Sequence, residues 1–223
     1  MKPLQESLLA QRAVRHGFGV RGAPEPPGLV RPKQVHGVRV VTGPECRGTP
    51  TPEADAVVST EPGLPVAVVT ADCVPVLLAT EDGCGVAAVH VGWRGLAAGV
   101  LEAGVAALAD AAATVPARMV AGVGPHIGVC CYEVDTPVLD ALARRFGDGL
   151  AAATRPVREG HALLDLGRLV GAALAGVGLE PGVIGHQTAS CTRCDPARFH
   201  SYRRDGPRSG RLVHFIAASP VQG

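Results

Sequence analysis

Short apolar runs separated by turns rich in glycine and proline dominate the first half of the chain. Valine is enriched in these runs, and their length and bounding residues are typical of β-strands. The pattern predicts strands at Val38–Val41, Ala56–Ser59, Val66–Thr70, Val74–Ala79 and Val86–Val91. Such a density of strands indicates a mixed sheet in this half of the molecule.

The second half changes to a helical period, because apolar residues recur at steps of three and four from Leu96 to Ala113. Gly99 and Gly104 weaken this predicted helix by about 1 kcal/mol each relative to alanine and indicate close packing. The remaining pattern predicts helices at Thr136–Phe146 and Leu166–Leu174 and strands at Met119–Val123, Val183–Gly185 and Leu212–Ala217. We therefore expect one α/β domain, α+β-like in its order of elements, over residues 1–223, with a mixed β-sheet core flanked by helices.

Composition limits the possible partners. Hydrophobic residues make up 47% of the chain and aromatic residues only 3%, so valine, leucine and alanine must build the core. A formal net charge of +1 gives no broad field to attract nucleic acid or an anionic membrane. A local anion site is still compatible with this balance.

The N-terminal residues carry charges at Lys2, Glu6 and Arg12 and lack the apolar core of a signal peptide. Even the most apolar long stretch, residues 96–115, contains Glu102 and Asp110, so no membrane span is expected. We predict a cytoplasmic protein. Its seven cysteines are an odd number in a chain of this size, which favours free thiols or metal ligands over a disulfide framework.

A candidate site lies where the strand Val86–Val91 gives way to the next helix. His90 is near the end of this strand, and Cys73 and His36 each lie beside another predicted strand. Two imidazoles and a thiolate suit a zinc ion with one open position. The long spacings match no local metal motif, so the spacing alone favours a buried cysteine with two unrelated histidines. A third interpretation is a nucleophilic pair in which Cys73 attacks and His90 is the base.

Other motifs carry weaker signals. Cys191 and Cys194 form a single CxxC, and the adjacent Cys130 and Cys131 are poorly placed to chelate one ion, so we interpret them as structural thiols. The basic segment 201–206, SYRRDG, is either a solvated hairpin or an anion-binding turn, since guanidinium groups match phosphate oxygens. Further anion-binding candidates are Arg21 and Arg94.

Seven motifs, taken in order, carry a resemblance to a known family. They are HGF with Arg21 (16–21), KQVHG (33–37), Asp55-Ala56, TADCVP (70–75), VHVGWRG (89–95), GPHI with CYEV (124–134), and Cys191-Thr192 followed by SYRRDG (191–206). Together they resemble the YfiH family, to which human FAMIN is related and whose members were formerly called laccase-domain or polyphenol-oxidase proteins. The motifs run from residue 16 to about residue 216 and so cover nearly the whole chain.

The resemblance implies a zinc ion held by His36, Cys73 and His90. It implies phosphorolysis of purine nucleosides (adenosine, inosine, guanosine and methylthioadenosine) and deamination of adenosine, with purine nucleoside and phosphate as partners. Arg21, and with it Arg203, would contact phosphate or sugar. Copper oxidation of phenols is an older claim for the family, which makes copper the alternative metal. We expect a monomer or a homodimer.

Two further residues have open roles. Asp72, beside the cysteine ligand, either orients a ligand, shuttles a proton or caps a turn. Trp93, the only tryptophan, either stacks on a base or packs the turn between strand and helix.

Three rival functions remain. One is a Cys–His hydrolase or amidase, the second is the copper-dependent phenol oxidase, and the third is a nucleoside-binding protein without turnover. The last follows from the short, proline-rich segment Gly22–Lys33, which replaces a longer loop and helix of the family.

Overall fold

The structure, a computed structural model, describes residues 1–186 and 191–220. Its strands are β1 Arg15–Gly17, β2 Val40–Thr42, β3 Ala56–Ser59, β4 Val66–Thr70, β5 Val74–Thr80, β6 Val86–Val91, β7 Met119–Val123, β8 Glu133–Asp135, β9 Thr154–Arg158, β10 His161–Leu164, β11 Ile184–His186 and β12 Leu212–Ala217. Its α-helices are α1 Ser7–Ala10, α2 Trp93–Ala98, α3 Val100–Ala111, α4 Thr136–Phe146, α5 Leu166–Gly176 and α6 Tyr202–Asp205. Short 3-10 turns lie at Pro44–Arg47, Pro116–Arg118, Gly147–Ala153, Pro181–Val183 and Gly206–Arg208.

A mixed six-stranded sheet in the order β11-β7-β5-β6-β3-β2 forms the centre of the fold, which confirms the predicted mixed α/β class. The edge pairs β11–β7 and β2–β3 are parallel, and the inner pairs are antiparallel. All residues of β5 and β6 are buried, since this sheet is covered on both faces. That burial explains why the sequences of β5 and β6 are continuous apolar runs.

Helices cover one face of the central sheet and a second sheet covers the other. On the helical face, Val76 and Val89 pack with residues of α3 and α5 in one hydrophobic cluster. On the opposite face, Leu77 and Ala88 pack with Val66 and Ile216 of a three-stranded antiparallel sheet ordered β1-β12-β4. The two clusters alternate along β5 and β6 because successive side chains of a strand point to opposite faces.

The prediction of one continuous helix over residues 96–113 is wrong, because the chain forms two helices, α2 and α3, with a break at Gly99. This residue has φ +100°, and its N–H donates to the carbonyl groups of Gly95 and Leu96, as in a left-handed helix cap. Gly104 stays helical, and a Cβ there would lie 2.9 Å from Val89 Cγ2. Close packing of α3 on β6 therefore requires glycine at this position, as its occurrence within an apolar pattern indicated.

Several elements differ from the sequence-based expectations. The antiparallel sheet β8-β10-β9 was not predicted, because β9 is almost wholly exposed and contains Pro156, so it shows no apolar pattern. The segment 201–206 forms α6 instead of a hairpin, with Ser201 accepting a hydrogen bond from the Arg204 N–H as the helix cap. Within residues 1–186 and 191–220, no helix is long and apolar enough to cross a membrane.

Candidate metal centre and cavity

The structure brings His36, Cys73 and His90 together, although they come from three separate segments. His90 lies on β6, Cys73 ends the turn that leads into β5, and His36 lies in the loop before β2. Antiparallel pairing of Pro75 with His90 places the start of β5 beside the histidine. The ligand atoms of the three residues all lie within 4.8 Å of one another, so they are compatible with a metal site.

Asp55 orients both histidines and is the main residue of the centre that sequence reasoning missed. It is fully buried just before β3, and its Oδ1 accepts hydrogen bonds from His90 Nδ1 at 2.8 Å and from the His36 N–H at 2.9 Å. The other oxygen accepts from the N–H groups of Val35 and Gly37, which fixes the histidine loop. With Nδ1 turned to the carboxylate, His90 presents Nε2 toward the cluster. Carboxylate–histidine pairs of this kind orient metal ligands in many proteins. The motif Asp55-Ala56 was visible in the sequence, but its role was not.

Backbone conformation and a missing side chain allow the cluster to close. His36 has φ +61°, an uncommon value for a residue other than glycine, and it is held there by the Asp55 carboxylate. A Cβ on Gly92 would lie 3.1 Å from His36 Cδ2 and 3.3 Å from Cys73 Sγ. Glycine at residue 92 therefore leaves the space in which the two side chains approach each other.

The cluster favours a thiolate at neutral pH. Burial alone would raise the pKa of Cys73, but hydrogen bonds with His36 and His90 outweigh it and lower this pKa to about 6. Burial alone would lower the pKa of His90, yet its hydrogen bonds to Asp55 and Cys73 raise it to about 9. The deprotonated sulfur is the form that binds a metal ion or acts as a nucleophile.

A cavity of about 730 Å³ opens above the cluster, and His36, Cys73 and His90 are part of its lining. This volume is in the range of small-molecule sites. Cationic side chains dominate the charge of the lining: Arg31, Lys33, Arg94, Arg203 and Arg211. Lys33 pairs with Glu53 and Arg31 with Glu25, whereas Arg94, Arg203 and Arg211 form no ion pair in the described part of the chain. The cavity is therefore suited to a ligand that carries negative charge.

Asp72 caps a turn in this structure. Its Oδ1 accepts a hydrogen bond from Thr192 Oγ1 at 2.6 Å, and its Oδ2 accepts from Ser201 Oγ at 3.0 Å and from the Arg203 N–H at 2.6 Å. These contacts are those of a cap on the first turn of α6, and Asp72 also lines the cavity, so a role in orienting a ligand or moving a proton stays a prediction. The carboxylate fixes the segment that carries Arg203 against the turn that carries Cys73.

Trp93 and Arg203 both line the cavity. Trp93 begins α2 and packs partly against the core, with the Arg94 guanidinium 4.4 Å from its ring centroid. Arg203 lies 5.2 Å from the ring centroid of Tyr132, and its Nη1 donates to the Glu133 carbonyl. Both residues predicted from the sequence as contacts for substrate are thus brought to the same space, and Tyr132 is an aromatic neighbour that the sequence analysis did not select.

Arg21 is not brought to this cavity. Its Nη1 donates to the Pro196 carbonyl at 3.1 Å, and its N–H donates to the Arg198 carbonyl. The residue is exposed and is absent from the described lining of the cavity. Arg31 and Arg211, which sequence reasoning did not select, lie in the lining instead.

Comparison with known proteins agrees with this architecture. The family described as multi-copper polyphenol oxidoreductase laccase matches residues 11–219. A solved structure of YfiH from Bacillus licheniformis has a TM-score of 0.82 at 25% identity and covers 93% of each chain. The Neisseria meningitidis protein NMB0706 has a TM-score of 0.79 at 36% identity over 86% of this chain and 75% of its own.

Relatives with assigned names are similar over most of the chain. A protein of Xylella fastidiosa named purine nucleoside phosphorylase is 41% identical over 86% of this chain and 72% of its own length. The Escherichia coli protein named purine nucleoside phosphorylase YfiH is 40% identical over 82% of this chain and 71% of its own. The chain therefore belongs to the laccase-like YfiH family, as the motifs predicted.

Proposed function

We propose that this protein is a zinc-dependent purine nucleoside phosphorylase that also deaminates adenosine. The observation that carries the proposal is the His36–Cys73–His90 cluster in a cavity lined by cationic side chains. The names of the Xylella and Escherichia relatives support the same activity. The substrates would be adenosine, inosine, guanosine and methylthioadenosine with phosphate, and the protein would act in the cytoplasm as a monomer or homodimer.

The donor set fits zinc well. Two imidazole nitrogens and one thiolate, with the cavity beside them, are the ligands of a zinc site that retains an open position. A blue-copper site would share these three ligands but adds a weak axial donor, often methionine. No methionine occurs among the described residues that line the cavity. Outside this trio, the described residues form one other possible metal group, which consists of four cysteines and no histidine. These observations favour one zinc ion over a multi-copper centre.

The residues of the cavity have separate tasks in this proposal. In phosphorolysis, phosphate attacks C1′ of the ribose while the N-glycosidic bond breaks through an oxocarbenium-like state. Arg94 and Arg203 would hold the phosphate, because guanidinium groups match its oxygens, and Trp93 would contact the purine. For deamination at purine C6, a bound zinc ion supplies Lewis-acid chemistry that lowers the pKa of water to about 7.

The test is turnover of adenosine with and without phosphate, followed by chromatography of adenine, inosine and ribose 1-phosphate. We expect phosphate-dependent release of adenine and phosphate-independent formation of inosine, both lost in Cys73→Ala together with the metal of that centre. Cys84→Ser is the matched control, because Cys84 lies outside both groups of possible metal ligands. Activity in a metal-free Cys73→Ala protein would refute the assignment. Nucleoside binding without product would support the binding-protein alternative, and oxidation of phenols with bound copper would support the oxidase.

A Cys–His hydrolase is the second candidate, and one observation favours it. Cys73, His90 and Asp55 form a hydrogen-bonded series of nucleophile, base and orienting carboxylate, with the Cys73 pKa lowered to about 6. This candidate predicts rapid alkylation of Cys73 by iodoacetamide in metal-free buffer and hydrolysis of an amide without zinc. Zinc protection of Cys73 from alkylation would count against it.

A further inference from the structure

A second group of cysteines lies in a different part of the fold from the His36–Cys73–His90 centre. Cys130 and Cys131 belong to the turn between β7 and β8, and Cys191 and Cys194 lie in the segment before α6. The sulfur atoms of all four lie within 4.8 Å of one another. The two pairs are separate motifs in the sequence, and only the fold brings them together.

The sulfur–sulfur distances match a metal centre better than disulfides. Cys131 Sγ lies 3.3 Å from Cys194 Sγ, and Cys130 Sγ lies 3.7 Å from the same atom. A disulfide needs about 2.05 Å between sulfurs. Tetrahedral zinc with Zn–S bonds of about 2.3 Å requires about 3.8 Å between its sulfur ligands. All four cysteines are free thiols in this structure.

The surrounding backbone holds these sulfurs in place. The N–H of Gly128 donates to Cys191 Sγ at 3.3 Å, and the Cys131 N–H donates to the Gly128 carbonyl, which turns the adjacent cysteines toward Cys194. A Cβ on Gly128 would lie 3.3 Å from Cys130 Sγ.

Arg204 holds the backbone between the two cysteines of the CxxC. Its Nη1 donates to the carbonyl groups of Thr192 and Arg193. The same guanidinium pairs with Asp205 at 2.8 Å, which fixes its orientation toward this segment.

We propose that Cys130, Cys131, Cys191 and Cys194 bind one zinc ion in a closed, structural site. Four sulfur donors in tetrahedral arrangement are typical of structural zinc, which keeps no position for substrate. Binding of Zn²⁺ forms four Zn–S bonds and releases four thiol protons to solvent, with no change in oxidation state.

The site would clamp a segment of the cavity wall to the segment that contacts Asp72. Cys131 precedes Tyr132, which lines the cavity, and Cys191 precedes Thr192, which donates to Asp72. The N–H of Thr192 also donates to the His126 carbonyl, so the two segments already touch. A bound ion would fix the distance between them and, through Asp72, the position of Arg203.

The experiment measures zinc per chain by mass spectrometry in the wild type, Cys73→Ala, Cys130→Ser, Cys194→Ser and the control Cys84→Ser. We expect Cys130→Ser and Cys194→Ser each to lose one equivalent of zinc that both Cys73→Ala and Cys84→Ser retain. On a Cys73→Ala background, Cys130→Ser should leave no zinc, and this result stands whether or not the first centre binds zinc.

Cobalt provides a measurement that does not depend on the folding of Cys130→Ser or Cys194→Ser. Metal-free, reduced Cys73→Ala protein titrated with Co²⁺ should bind one equivalent and develop the sulfur-to-cobalt charge-transfer absorption and intense visible bands of a tetrahedral thiolate site. Absence of zinc and of these bands would overturn the proposal. Intact masses showing disulfides between the four cysteines in freshly isolated protein without zinc, or iron with acid-labile sulfide, would overturn it as well.

Discussion

The two groups of possible metal ligands differ in donor type and in surroundings. His36, Cys73 and His90 offer mixed nitrogen and sulfur donors in the wall of a cavity, and a buried carboxylate orients two of them. The four-cysteine group offers sulfur alone and receives hydrogen bonds from backbone N–H groups. Three donors beside a cavity suit chemistry on a substrate, whereas four donors that leave no position open suit structure. Zinc would thus have two roles in one chain, and the number of protein ligands at each site would set its role.

Removing one sulfur from each group should give the largest contrast. We expect Cys73→Ala to lower turnover of adenosine by at least about 10³-fold with little change in the melting temperature. Cys130→Ser should lower the melting temperature and reduce turnover by only about threefold to tenfold, because it acts through the position of the cavity wall. Calorimetry and steady-state kinetics on both variants test this. Equal losses of turnover would remove the distinction between the two groups.

Neutralising the Asp55 carboxylate should lower metal affinity at the His36–Cys73–His90 centre and leave the four-cysteine group unchanged. Asp55→Asn keeps the shape of the side chain but removes the charge that holds His90 Nδ1, so we expect metal affinity at the first centre to fall about 10- to 100-fold. Competition with a chelator on a Cys130→Ser background measures this affinity. An unchanged affinity would show that Asp55 only supports the loop.

Two arginine substitutions distinguish the phosphate ligand that the family resemblance implies from the one that the cavity lining indicates. Arg94→Gln should raise the KM for phosphate about tenfold and leave the KM for adenosine nearly unchanged, because Arg94 lines the cavity without an ion-pair partner among the described residues. Arg21→Gln should change both constants by less than about twofold, since Arg21 bonds to the Pro196 carbonyl outside the cavity. The reverse order of effects would favour Arg21 as the phosphate ligand.

Adding one methyl group should weaken the first centre moderately. Gly92→Ala places a Cβ near His36 and Cys73, and we expect metal affinity there to fall about tenfold while the four-cysteine group keeps its zinc. Gly182→Ala is the matched control, because no atom lies within 4 Å of its added Cβ. Zinc content after dialysis against a weak chelator measures both. Equal retention in the two variants would contradict the proposed crowding.

The last prediction concerns stability and a buried histidine that belongs to neither group of possible metal ligands. Burial lowers the pKa of His214 to about 3, and the uncharged ring accepts from the Gly19 N–H and donates to Thr70 Oγ1. Between pH 6.5 and about pH 3, His214 binds a proton in the unfolded chain but not in the folded chain. The free energy of unfolding should therefore fall as the pH falls, by up to about 1.4 kcal/mol per pH unit from this residue. His214→Gln should flatten this slope in denaturant titrations from pH 7 to pH 5, and an unchanged slope would assign it to other groups.

Buried strands and helices with a clear period could be predicted from the sequence. Ala56–Ser59, Val86–Val91 and Thr136–Phe146 have the predicted bounds, because burial on one or both faces imposes a pattern on the residues. The break at Gly99 was not predicted, since a single glycine inside an apolar period does not reveal its φ angle. The exposed strand β9 was not predicted, because few of its positions have to be apolar.

The sequence by itself determined the family and the mixed α/β class, and it supplied the candidate ligand types. Its motifs placed His36, Cys73 and His90 in order, but the three come from segments far apart in the chain, and only strand pairing brings their ligand atoms within 4.8 Å. Tertiary structure alone brought Asp72 against the first turn of α6, left Arg21 outside the cavity and joined two cysteine pairs in one group. Such outcomes depend on contacts between residues distant in the chain, and a linear pattern carries no direct record of those contacts.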